Sequence, residues 1–290
     1  MNVDEIKKIC VVGAGNMGRQ IALACALAGY DTACSDHSDE QLLRAEEFKE
    51  KYLGERVARG KLSAAEAAAA GKRLTFGASL EEAADGADFV IEAAVEKLAV
   101  KRSLFAQLDQ ICPPHAILAT NSSYIVSSRI ADATGRPEKV CNMHFFNPAL
   151  VMKCVEVVQG PHTAAETAQA AMALARRLNK IPVLLRKEIY GFLVNRIFRR
   201  LQDEALFLLD TGVASAEDID KAVVNALGHP MGPFQLMDLT GIDLNYHSRM
   251  ELYAETMDPA HRPSPEVVAR YVRKEWGRKS GKGFYEYDGT

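Results

Sequence analysis

The sequence predicts an α/β protein in which a doubly wound sheet domain is followed by an all-α domain. Three observations carry this. Short apolar runs alternate with helical patterns through the first part of the chain, a glycine-rich turn joins the first run to the first helix, and only helical periodicity remains after Arg186. The boundary is placed at residue 187, giving domains 1–187 and 188–290, both of ordinary size for a 290-residue chain.

Residues 9–12 form a short apolar run that ends in glycine, a helical pattern covers 17–28, and 32–35 read as a second strand ending at Asp36. That is a βαβ unit. A long charged helix is expected over 38–59, and Ser63-Ala64-Ala65-Glu66 is a capping box opening an alanine-rich helix. Strands are expected at 89–91 and 117–119, with a helix over 100–109 between them. Strands at 140–144, 151–158 and 181–185 complete a sheet whose end is antiparallel. Helical spacing follows over 192–209, Ser215-Ala216-Glu217-Asp218 caps a second helix, and weaker helical patterns follow Gly241 and Pro265.

Composition narrows the function classes. A net charge of −3 with mixed signs throughout argues against nucleic acid or a membrane surface as partner. Six scattered cysteines, with no Cys-x-x-Cys pair and no histidine at zinc spacing, read as reduced core residues of a cytosolic protein without a metal. The apolar stretch over 9–30 is interrupted by Asn16, Arg19, Gln20 and glycines, so it is read as neither signal sequence nor membrane span.

The glycine turn is Gly13-Ala14-Gly15-Asn16-Met17-Gly18, a G-x-G-x-x-G placed after a strand and at the start of a helix. The first glycine permits the tight turn, the second lets a pyrophosphate approach the backbone, and the third lets helix and strand pack closely. Such a motif makes the sheet domain Rossmann-type. Asp36 stands where a carboxylate accepts hydrogen bonds from an adenosine ribose and repels a 2′-phosphate, which favours NAD over NADP; FAD is the competing ligand.

A second feature is His144-Phe145-Phe146-Asn147-Pro148, followed by a strand that carries a lone acid, Glu156. Strand alternation puts Met152, Cys154, Glu156 and Val158 on one face, so Glu156 points with apolar neighbours and requires a companion. The Asn147-Pro148 turn folds His144 back towards it. A histidine held by a buried carboxylate is a common general base near neutral pH, and a capped core histidine is the structural alternative. Glu92, Glu96 and Lys101 after one strand, and Asn121-Ser122-Ser123 after the next, fall where ligands of such sheets bind, although helix capping would also account for them. Asn195 sits within an apolar helical pattern and needs a hydrogen-bonding partner.

Together these motifs, with Gly191-Phe192-Leu193-Val194-Asn195-Arg196, His229-Pro230-Met231-Gly232-Pro233-Phe234 and Gly281-Lys282-Gly283-Phe284-Tyr285, resemble the 3-hydroxyacyl-CoA dehydrogenase family, its stand-alone short-chain branch above all. The resemblance implies NAD-dependent oxidation of an (S)-3-hydroxyacyl-CoA to the 3-oxoacyl-CoA. It makes His144 the general base, Glu156 its partner, and Ser123 and Asn195 the groups that bind the reacting oxygen. The family's usual Asn-Thr-Ser-Ser reads Asn121-Ser122-Ser123-Tyr124 here, so tyrosine stands in place of the second serine. Ala93, Glu96, Lys101, Asn121 and Asn147 would join the glycine turn and Asp36 in holding the cofactor. The resemblance also places CoA near the helix over 38–59, where Arg56 and Arg59 could meet its 3′-phosphate, and implies a homodimer. Same-fold relatives acting on gulonate or carnitine, and a non-catalytic NAD-binding scaffold, are the rival readings.

Overall fold

Eight strands make one sheet in the order β3-β2-β1-β4-β5-β6-β7-β8. The computed structural model describes residues 3–287 of the chain and divides into two units, the first ending at Leu193 and the second starting at Val194. In the first unit, β1 (Lys8–Val12), α1 (Asn16–Leu27) and β2 (Asp31–Ser35) form the expected βαβ unit. Then come α2 (Asp39–Ala58), α3 (Ala64–Arg73), β3 (Leu74–Gly77), α4 (Leu80–Ala84), β4 (Phe89–Glu92), α5 (Leu98–Ile111), β5 (Ile117–Thr120), α6 (Ser128–Ala131), β6 (Val140–Phe145), β7 (Cys154–Val158), α7 (Ala165–Arg177) and β8 (Ile181–Leu185).

Strands β4, β5 and β6 are buried at every position, as expected of a sheet covered on both faces. Alternate residues of each strand feed opposite faces. Ile9, Val11, Phe89 and Ile91 pack with Ile21 and Leu23 of α1 and Leu174 of α7. Cys10, Val12, Val90 and Leu118 pack instead with Phe105 and Leu108 of α5 and Ile130 of α6. The capping box of α3 is formed, Ser63 accepting from the Glu66 N–H while the Glu66 carboxylate accepts from the Ser63 N–H at 2.8 Å.

Two element starts differ from the sequence expectation, while the end of the sheet agrees with it. The strand expected over 151–158 begins at Cys154, because residues 148–152 close a turn in which the N–H groups of Val151 and Met152 donate to Pro148 O; Met152 therefore lies outside the strand. The sheet ends in the expected antiparallel portion: β7 runs antiparallel to β6, and β8 runs parallel to β7. The helix expected from residue 192 starts at Val194, since Gly191 and Phe192 adopt positive φ values of 73° and 48°, outside the right-handed helical region.

The second unit holds α8 (Val194–Asp210), α9 (Ala216–Leu227), α10 (Pro233–Thr240), α11 (Ile242–Thr256) and α12 (Pro265–Val272) around Leu206, Ile219, Phe234, Met237, Ile242 and Val267. Ser215 caps α9 by accepting from the Asp218 N–H. Two buried carboxylates order the rest. Asp220 accepts from the Phe234 and Gln235 N–H groups at the start of α10, and Asp238 accepts from the Phe284 and Tyr285 N–H groups of the C-terminal segment. Among the described residues no helix is long and apolar enough to cross a membrane, and no group of three or more His, Cys, Asp or Glu is placed to hold a metal ion.

Candidate active site

Chain order reverses between β1 and β4, and the C-terminal ends of these strands carry the glycine turn and Ala93. A ligand of an open α/β sheet binds at such a crevice. Each glycine there has its own geometric reason. Gly13 has φ = +104°, and a Cβ on it would lie 2.8 Å from Ala93 O; a Cβ on Gly18 would lie 1.7 Å from Gly13 O, so α1 could not approach β1. A Cβ on Gly15 would meet nothing within 4 Å. Gly15 caps α1 without a side-chain hydrogen bond, so the helix start presents open space and backbone N–H groups, as a pyrophosphate requires. Asp36, just after β2, has its carboxylate accepting from the Ala14 N–H at 2.8 Å and the Ser38 N–H at 2.9 Å, which sets it beside the glycine turn. These residues fit a bound NAD.

The antiparallel register sets His144 directly opposite Glu156. Both are sealed from solvent, at 3% and 0% exposure, and Nδ1 of His144 lies 2.9 Å from Glu156 Oε2. A carboxylate only accepts, so it keeps the proton on Nδ1 and leaves the Nε2 lone pair free. Ser123 Oγ, at the end of β5, lies 3.1 Å from that Nε2. The other Glu156 oxygen accepts from the Leu193 N–H at 3.0 Å. Phe146 meets the imidazole edge-on at 4.6 Å between centroids, and Phe192 packs on it at 5.4 Å.

The remaining polar residues knit the strand ends together. Asn16 Nδ2 donates to Asn147 Oδ1 at 3.1 Å, which ties the glycine turn to the turn after His144, and Asn121 Oδ1 accepts from the Phe145 N–H at 2.8 Å. Glu96 accepts from the Ser122 hydroxyl and from the Tyr124 N–H at 3.1 Å. Met17 lies in the first turn of α1 against the core below the glycine turn. Lys101, expected on the nicotinamide side, is only 1% exposed; its ammonium donates to both oxygens of Glu92 and lies 3.3 Å from Glu96. It therefore braces the wall of the site.

On α2, Arg56 donates to Tyr52 OH at 2.8 Å, while Arg59 is 70% exposed, with a loose ion pair to Glu55 at 3.8 Å. Asn195 is the second residue of α8, half-buried, in the second unit. Sequence reasoning missed Leu193, Phe192 and Gln20, whose side chain bridges Asn16 O at 2.9 Å and the Leu150 N–H at 3.4 Å. A backbone donor such as Leu193 has no signature in the sequence. Phe192 looked like ordinary helix core.

Comparison with known proteins adds two family matches. Residues 8–189 match the 3-hydroxyacyl-CoA dehydrogenase NAD binding domain, and residues 191–287 match the 3-hydroxyacyl-CoA dehydrogenase C-terminal domain. The chain is 40% identical over 285 residues to a probable 3-hydroxybutyryl-CoA dehydrogenase of Bacillus subtilis, covering 98% of each. It is also 40% identical to a 3-hydroxyadipyl-CoA dehydrogenase of Escherichia coli, with 98% of this chain and 59% of that protein covered. Among solved structures, (S)-3-hydroxybutyryl-CoA dehydrogenase PaaH1 from Ralstonia eutropha aligns with a TM-score of 0.90 at 35% identity, over 98% of this chain and 100% of that one.

Proposed function

This chain belongs to the 3-hydroxyacyl-CoA dehydrogenase family, and on that premise we propose that His144 is the general base of its reaction and Glu156 the group that orients it. The protein is an NAD-dependent enzyme that oxidises hydroxyacyl-CoA. The observation that carries the residue assignment is the line Ser123 Oγ, His144 Nε2, His144 Nδ1, Glu156, with separations of 3.1 and 2.9 Å.

In this reading the 3-hydroxyl of an (S)-3-hydroxyacyl-CoA binds beside Ser123 Oγ and gives its proton to His144 Nε2. Glu156 stabilises the imidazolium that forms, through the Nδ1–H it already accepts. Ser123 and Asn195 hold the reacting oxygen and supply dipoles where charge shifts. Bound NAD supplies the acceptor for the C3 hydride. The glycine turn binds its pyrophosphate and Asp36 its adenosine ribose, while Ala93, Glu96, Asn121 and Asn147 border the nicotinamide side with Lys101 behind them. The buried setting keeps the imidazole from bulk water.

The relatives named 3-hydroxybutyryl-CoA dehydrogenase support a short-chain acyl group as the proposed substrate, with Arg56 and Arg59 proposed to meet the CoA phosphate. Residues 188–290 form the substrate and dimerisation part of a cytoplasmic homodimer, and 1–187 the NAD-binding part. The test is NADH oxidation with acetoacetyl-CoA. Turnover of that ester, with none of carnitine or gulonate, supports the reading; the reverse pattern refutes it. Static light scattering of the purified chain tests the dimer, and a monomer at micromolar concentration refutes it.

A further inference from the structure

The segment from Glu188 to Leu193 is fastened to the catalytic side of the first unit at four successive points. Glu188 Oε1 accepts from the Ser128 N–H at 2.8 Å and from the Ser127 hydroxyl at 3.1 Å. Tyr190 stacks on Tyr124, the residue after Ser123, at 5.0 Å between centroids and 26° between planes. Phe192 is fully buried against the His144 ring. Leu193 donates its N–H to Glu156 Oε1 at 3.0 Å.

Phe192 does this from φ = +48°, in the left-handed region that a residue with a Cβ enters rarely. Such a conformation persists where the surroundings over-determine it, and here the surroundings are the catalytic pair. The conformation has a geometric use. With Gly191 also at positive φ, and the Phe192 N–H closing a turn onto Ile189 O at 3.0 Å, the chain reverses so that the Phe192 ring and the Leu193 N–H both face the pair.

We infer that residues 188–193 are a positioning strap that sets the orientation of His144, with Phe192 as its positioning residue; this rests on the reading of His144 as general base. A carboxylate held through one oxygen can still rotate about its side-chain bonds. Glu156 is held through both, by Nδ1 on one side and the strap backbone on the other. Phe192 and Phe146 flank the imidazole, so the plane of the ring and the aim of Nε2 at Ser123 Oγ follow from the strap. Small misalignments of a reacting group lower the catalytic step by as much as 10²-fold. The last strap residue, Leu193, directly precedes α8, so the donor to Glu156 is also the attachment point of the helical unit.

The test compares Phe192→Ala, Phe192→Leu, Tyr190→Ala and Tyr190→Phe in the full chain, using acetoacetyl-CoA reduction, NADH fluorescence titration and the pH profile of kcat. Phe192→Ala is expected to lower kcat about ten- to a hundredfold, with KM and the NADH Kd within about threefold, and to displace the alkaline limb of the kcat profile, since in the reduction direction the His144 imidazolium gives up the proton. Phe192→Leu should recover most of that loss. Tyr190→Ala should lower kcat by a smaller factor, which Tyr190→Phe restores. Parental kcat and pH profile in Tyr190→Ala and in any folded Phe192→Ala, or a loss confined to KM, would overturn the strap. If Phe192→Ala does not fold, the Tyr190 pair decides. His144→Ala with parental activity would instead refute the general-base reading, whatever the strap variants do.

Discussion

Lys101 Nζ lies 2.7 and 2.9 Å from the two oxygens of Glu92, and both side chains are buried at the C-terminal end of the central strands. Glu92 also accepts from the Ala94 N–H at 2.7 Å and the Thr120 hydroxyl at 2.6 Å. The pair is a fully satisfied ionic network under the candidate cofactor site.

Lys101→Met should be strongly destabilising, because it strands a buried carboxylate. A loss of about 3–5 kcal/mol in urea unfolding is expected, while Glu92→Gln combined with Lys101→Met should lose clearly less than the sum of the two single changes. Additive losses would show that the pair is not coupled.

His144→Ala should lower kcat by about 10²–10⁴-fold, the usual contribution of a general base, with NADH binding retained in a fluorescence titration. Wild-type-like turnover in this variant would refute the assigned mechanism.

Asp36→Asn removes the charge at the ribose end and keeps the shape. The preference for NAD over NADP in kcat/KM should fall by at least about tenfold, equivalent to ~1.4 kcal/mol. The readout is paired kinetics with both cofactors, and an unchanged ratio would move ribose recognition to another residue.

Burial pushes the thiols of Cys10, Cys25 and Cys141 up to about 12, so at pH 8 their thiolate fraction is on the order of 10⁻⁴. Cys154 is half-exposed and its thiol is raised by burial and then by the neighbouring Glu156 carboxylate. Alkylation of the native protein should modify Cys154 first, faster at higher pH, with the buried thiols reacting only on unfolding. Mass mapping of early products checks this, and early labelling of Cys10 or Cys25 would contradict it.

Much of this fold was legible because its signals are local. The βαβ unit announces itself through apolar runs, three glycines and Asp36, and α3 through a capping box with both of its hydrogen bonds. The elements that escaped lack such punctuation. Strand β3 is four residues long and half-exposed at the sheet edge, and α7 follows Ala164, which offers no side-chain cap. Alternation put Glu156 among apolar neighbours and the Asn147-Pro148 turn brought His144 towards it, but what holds its second oxygen is the backbone of residue 193, distant in sequence and invisible to pattern. The partner of Lys101 was hidden for a related reason. Sequence shows that a charge follows a strand, whereas only packing shows that Glu92 has turned that charge inward.

The antiparallel register of β6 and β7 has a consequence for how this protein fails on heating. The separation of His144 from Glu156 is fixed by the ladder between two strands, with β5 and β8 bonded on either side of the pair. Melting of a loop leaves that spacing intact; unzipping the sheet does not. Loss of the His144–Glu156 spacing should therefore follow the same curve as loss of strand circular dichroism, and any activity lost at a lower temperature would come from release of residues 188–193 and not from the ladder.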